Sequence, residues 1–233
     1  MLTRAQRFAL SREVDATSTL FRHGFAILDE YKFAARDAEA VFVCLAGGSE
    51  KLLKLTVGLF ALEAGDPWPS KATMRTTGHK ITELDGSVRA LIAEHQHRTA
   101  AHVHIAELLE RVNENPGVSQ ILQTLERYAL YGRFWNLDSL GGVTQPDEPP
   151  LDLWEELHSL VYDANPDLME ESAYGDYVAA RRAINRILGL TLGSWCELIV
   201  RAWRTGVCGA EASKWCGQLE LGYPLPRRRQ PAH

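Results

Sequence analysis

Residues 37–64 read DAEAVFVCLAGGSEKLLKLTVGLFALEA, and this stretch decides the fold class. Val41, Leu45, Gly48, Leu52, Leu55, Leu59 and Leu62 recur at steps of three and four residues, which lines them up along one stripe of an α-helix. Gly47 and Gly48 each cost about 1 kcal/mol of helix propensity. That cost is tolerable where another helix packs closely, because a glycine presents no side chain. The helix stops at Gly65, with Pro67 and Pro69 behind it.

The same period continues on both sides of a polar loop, Ser70 to Gly78. A helix is expected over residues 80–113, with Val88, Leu91, Ile92, His95, Thr99, His102, Ala106, Leu109 and Val112 on its stripe. Asn115, Pro116 and Gly117 end it, and another helix over 118–130 buries Ile121, Leu122, Leu125 and Ala129. Gly141, Gly142 and the stretch 145–150 read as a linker. Asp152 with Glu155 three residues on resembles an N-cap with its reciprocal acid, opening a short helix that ends near Pro166. A longer helix is expected over 174–204 and a last one over 210–219. The expectation is an all-α protein: a helical bundle over 1–142, a C-terminal helical extension over 151–222, and a flexible tail over 223–233.

Composition narrows the function classes. Hydrophobic residues make up 45% of the 233, enough to fill a core. The formal net charge of −5 argues against a general nucleic-acid coat protein, which needs a net basic surface, but leaves room for a basic cleft on an acidic body. Arg227, Arg228 and Arg229 read as a solvated end. The residues up to Asp15 carry no apolar signal core, and Val41 to Leu62 is too interrupted by polar groups for a membrane span. A cytoplasmic protein without membrane attachment is the expectation. Cys44, Cys196, Cys208 and Cys216 form no C-x-x-C pair, so reduced thiols are expected rather than a zinc or disulfide framework.

Histidine titrates near neutrality, and five of the eight histidines lie between His79 and His104. On an unbroken helix His95 and His102 share a face, with Arg98 between them, while His97 and His104 form a second pair on another side. Two Glu-x-x-His pairs, Glu94 with His97 and Glu155 with His158, are the kind a helix-bundle di-metal site uses. The plainer reading of the cluster is a polar network at the edge of the core. No motif calls for a cofactor: there is no phosphate-binding glycine loop and no G-x-S-x-G elbow.

The helix from Asp37, its core Gly48-Ser49-Glu50-Lys51-Leu52-Leu53-Lys54-Leu55, and the later Gly78-His79-Lys80-Ile81 with Leu84 together resemble the HEPN family over residues 31–84. Helices of that family often carry a Glu-Lys-x-x-Lys stretch, a loop, and a His opening the next helix. The resemblance implies a bundle of four to five helices that dimerises. For many members it also implies metal-independent ribonuclease activity in toxin–antitoxin or antiviral defence. Other branches of the family act as binding modules.

The family's catalytic pair is an Arg followed, after four to six residues, by a His. Arg98 and His104 meet that spacing, as do Arg89 and His95. On a regular helix, however, Arg98 and His104 lie about 120° apart, whereas His102 shares the Arg98 face. Arg98, His102 and His104 are therefore the candidate catalytic residues. Arg75, His79, Arg181, Arg182 and Arg186 are candidates for binding RNA or a protein partner. Tyr131, Phe134 and Trp135 are a candidate contact in a homodimer, since aromatic residues are enriched at interfaces. A non-catalytic helical interaction or scaffold module is the alternative, and a helix-bundle metalloprotein a more distant one.

Overall fold

A computed structural model describes residues 2–142, 144, 147–168 and 177–224, and among these no strand occurs. The protein is all-α. Helix α1, Arg4–Asp29, begins at a capping box: Thr3 accepts the N–H of Gln6, and the Gln6 side chain accepts the N–H of Thr3. The helix folds back on α2, Ala34–Glu63, as an antiparallel pair, with Phe21 against Gly48 and Glu13 paired to Lys51. A Cβ on Gly48 would sit 3.1 Å from the Phe21 ring, so the glycine in the middle of α2 marks where α1 comes close.

The polar loop 70–78 contains a short helix, α3, Lys71–Thr76, capped by Ser70. The expected single helix over 80–113 is two: α4, Ile81–His95, and α5, His102–Glu114, joined by a 3₁₀ turn, Gln96–Arg98. Neither Gly nor Pro lies at the break. Thr99 makes it instead: its backbone is extended, and its hydroxyl accepts the N–H of Ala101. A β-branched residue whose hydroxyl takes a nearby backbone N–H competes with the helical ladder. Tertiary packing settles the contest, because α4 lies on α2 whereas α5 lies on the long C-terminal helix.

Helix α6, Pro116–Leu130, starts where Asn115 accepts the N–H of Gly117, with Pro116 in the first turn. After a 3₁₀ turn, Gly132–Phe134, comes α7, Trp135–Leu140. Helix α8, Pro150–Asp163, is not capped by Asp152 as expected. Pro150 opens it, since a proline at the first position loses no needed N–H, and Asp152 falls inside the first turn. Helix α9, Tyr177–Arg204, and α10, Ala210–Trp215, complete the described elements, so the last helix is shorter than expected. The linker residues Gln145 and Pro146, the expected start of α9 at Tyr174, and the Arg227–Arg229 run lie outside the described residues.

Helix α2 is the hub, touching α1, α4, α6, α8 and α10. The C-terminal extension is not peripheral: Trp154, Leu188, Trp195 and Trp203 belong to the same buried core as Leu45, Leu52 and Leu59. By length and composition α9 is apolar enough to cross a membrane, yet 61% of its most apolar window is buried within the protein. Two of the buried indoles find polar partners across the core. Trp203 donates to the Thr56 hydroxyl at 2.9 Å, and Trp195 donates to Asp85 at 2.6 Å. Past α10 the chain returns over α9, where Pro224 and Tyr223 sit on Gly189 and Gly193. A Cβ on Gly193 would lie 3.1 Å from the Pro224 carbonyl oxygen.

Candidate functional site

The break between α4 and α5 changes the geometry of the first candidate cluster. His95 and His102 are not on one helical face. His95 ends α4, half-buried with its ring 5.6 Å from that of Phe60, and His102 opens α5. Arg98 is not mid-helix but closes the 3₁₀ turn, so the 120° separation from His104 that a continuous helix dictates does not apply. His97, Arg98, His102, Val103 and His104 are all exposed and form a knuckle. His102 Nδ1 lies 3.3 Å from the Thr99 carbonyl oxygen. A carbonyl only accepts, so Nδ1 carries a hydrogen and is committed as the donor of this bond. His104 Nδ1 lies 3.9 Å from Glu107.

A second cluster joins α2 to the loop between α3 and α4. Glu50 accepts Lys54 Nζ at 2.7 Å on one oxygen and His79 Nδ1 at 2.7 Å on the other, and Lys54 also donates to the Gly78 carbonyl at 2.8 Å. Burial pushes the Glu50 carboxyl up, but the bonds from Lys54 and His79 outweigh it and hold the group below its ordinary value. His79 is thus fastened to α2, half of its side chain still exposed, while Arg75 is exposed on the last turn of α3.

The third cluster gathers Tyr31, at the α1–α2 corner, Glu155 and His158 on α8, and Arg181 and Tyr177 on α9. Arg181 donates to His158 Nδ1 at 2.7 Å and to the Tyr177 hydroxyl at 2.8 Å, and faces both Glu155 oxygens at 3.4 Å. The Tyr31 hydroxyl donates to Glu155 at 3.1 Å. Burial, with the Arg181 charge beside it, pushes His158 down to about 3, so it is neutral. A guanidinium only donates, which makes Nδ1 the acceptor and puts the ring hydrogen on Nε2, a buried atom without a partner. Burial and the adjacent Glu155 raise the Tyr31 phenol well above its usual value.

Of the candidates read from the sequence, then, the structure draws Arg181 into a network with Glu155 and His158. It leaves Arg182 and Arg186 exposed one turn apart on α9. The two Glu-x-x-His pairs do not assemble a di-metal site: Glu155 and His158 are engaged with Arg181. Among the described residues no group of three or more metal-ligating side chains occurs. Tyr31, Lys32, Phe33 and Tyr177 were not anticipated as site residues. For the first three the sequence offers no more than their place just ahead of the α2 stripe. Compared with known proteins, the chain matches no family model, no curated protein and no solved structure.

Proposed function

We propose that this is a HEPN-like, RNA-directed helical protein that acts through the exposed knuckle between α4 and α5, in a defence or toxin–antitoxin setting. The observation that carries the reading is the His102 contact to the Thr99 carbonyl, which commits Nδ1 as a donor and leaves Nε2 as the atom that can exchange a proton, four residues from the end of the turn at Arg98. In RNA cleavage the 2′-oxygen bonds to phosphorus as the P–O5′ bond breaks, which needs a group to take the 2′-hydroxyl proton and return one to the leaving 5′-oxygen, and a cation at the phosphate. His102 supplies the first and Arg98 the second, with bidentate donors. His104 stands two residues on, about 200° around α5, so one phosphate meets one of the two imidazoles. Labelled RNA incubated with the purified protein, with and without EDTA, tests this. Cleavage that survives EDTA and is lost in Arg98→Ala and in His102→Ala or His104→Ala, with melting temperature unchanged, supports the reading. No cleavage by the wild type refutes the ribonuclease reading.

A second reading, a non-catalytic interaction module, is favoured by the Glu50–Lys54–His79 network. There the motif residues are spent on fastening the α3–α4 loop to α2 rather than on a ligand. Either way we propose a homodimer. Tyr131, Phe134, Leu137 and Leu140 recur every third residue past the end of α6, and all four are exposed. Light scattering that returns a 26.0 kDa monomer at micromolar concentration refutes the dimer.

A further inference from the structure

Two cavities of about 490 and 410 Å³ adjoin at Asp29, in the groove between the C-terminal half of α1 and the N-terminal half of α9. Five cations line them, Arg22, Lys32, Arg181, Arg182 and Arg186, against the carboxylates Asp29 and Glu30. Arg181 is held by Glu155. The other four are exposed and have no ion-pair partner among the described residues. On a chain of net charge −5 this is a local excess of positive charge. Unpaired cations side by side repel one another, and a polyanion relieves that repulsion.

At one end of the groove stand two aromatic rings, Phe33 at 61% exposure and Tyr177 at 56%. Both are held in place. Asp37 accepts the backbone N–H groups of Lys32 and Phe33, at 2.9 and 3.1 Å, and Arg181 holds the Tyr177 hydroxyl. Each ring has a guanidinium over it, Arg36 at 5.2 Å from Phe33 and Arg181 at 5.6 Å from Tyr177. Exposed rings beside a cationic track are the parts that bind unpaired nucleotides: the track follows the phosphates and the rings take bases by stacking, whatever the sequence.

We propose that the α1–α9 groove binds single-stranded RNA, with bases on Phe33 and Tyr177 and phosphates on Lys32, Arg182, Arg186 and Arg22. This rests on the RNA-directed reading and gives it a binding surface apart from the knuckle. Fluorescence anisotropy of a short fluorescein-labelled single-stranded RNA with the full chain tests it, at several salt concentrations. For single strands the slope of log K against log salt is about −0.7 per phosphate neutralised, so Arg182→Ala with Arg186→Ala is expected to flatten it by about 1.4. Phe33→Ala is expected to weaken binding about 5- to 150-fold at fixed salt, from about 1–3 kcal/mol of stacking per base, with the slope unchanged. These side chains are exposed, and unchanged melting temperatures confirm intact folding. Wild-type slope and affinity in these variants, with binding lost in Arg98→Ala, overturn the groove and leave the RNA reading standing. No binding of this RNA by the wild type overturns both.

Discussion

Replacing His158 by glutamine isolates a source of acid sensitivity in the α8–α9 contact. In the folded protein His158 is the neutral acceptor for Arg181, with Tyr31 and Trp154 against its ring and Glu155 one turn away on its own helix. Its folded pKa is pushed down to about 3, whereas an unfolded histidine titrates near 6.5. Below pH 6.5 the unfolded chain therefore binds a proton that the folded one refuses. The stabilisation is fully present above that pH and is lost as pH falls toward 3. Each unit of pH within that window costs about 1.4 kcal/mol, so between pH 7 and pH 5 the loss is about 2 kcal/mol. Glutamine keeps an acceptor for Arg181 and cannot be protonated. Urea unfolding at pH 7, 6 and 5 should show the wild type losing about 2 kcal/mol more than His158→Gln. Parallel stability curves for the two proteins would refute the buried neutral imidazole and the donor assignment built on it.

Asp85→Ala strands the buried Trp195 N–H and removes the ion-pair partner of Arg89, which keeps only its bond to Asn113, and a loss of about 3 kcal/mol in urea unfolding is expected. Gly58→Ala sets a Cβ 2.4 Å from the Trp68 ring, so overpacking should lower stability by about 1–3 kcal/mol in spite of the better helix propensity of alanine. A rise in melting temperature would mean that Trp68 moves aside freely. Phe134→Ser with Leu137→Ser should halve the mass seen in light scattering without changing the melting of dilute protein, because both side chains are exposed.

The stripe from Val41 to Leu62 was legible because α2 is buried along much of its length, and a buried helix must repeat apolar residues at its own period. The break at Thr99 was not legible. The stripe runs through it without a change of period, and the choice to break lies in which neighbours α4 and α5 pack against, information that a local pattern does not carry. Of the site residues, Glu155 and His158 stood out by their spacing and Arg181 by its charge. That they meet depends on the packing of α8 on α9 and on the corner that brings up Tyr31. The exposure of Phe33 and Tyr177 was not legible, since an exposed aromatic ring reads from sequence as one more core residue.

The return of the chain over α9 makes two distant parts of the sequence answerable to each other in mutation. Gly189 and Gly193 cost α9 roughly 1 kcal/mol each relative to alanine in propensity, and they earn their place only while Tyr223 and Pro224 lie on them. With the tail present, Gly193→Ala sets a Cβ 3.1 Å from the Pro224 carbonyl oxygen and is expected to lower the melting temperature; with residues 221–233 deleted, the same substitution should be neutral or helpful. The sign of its effect is thus set by residues some thirty positions away in the chain.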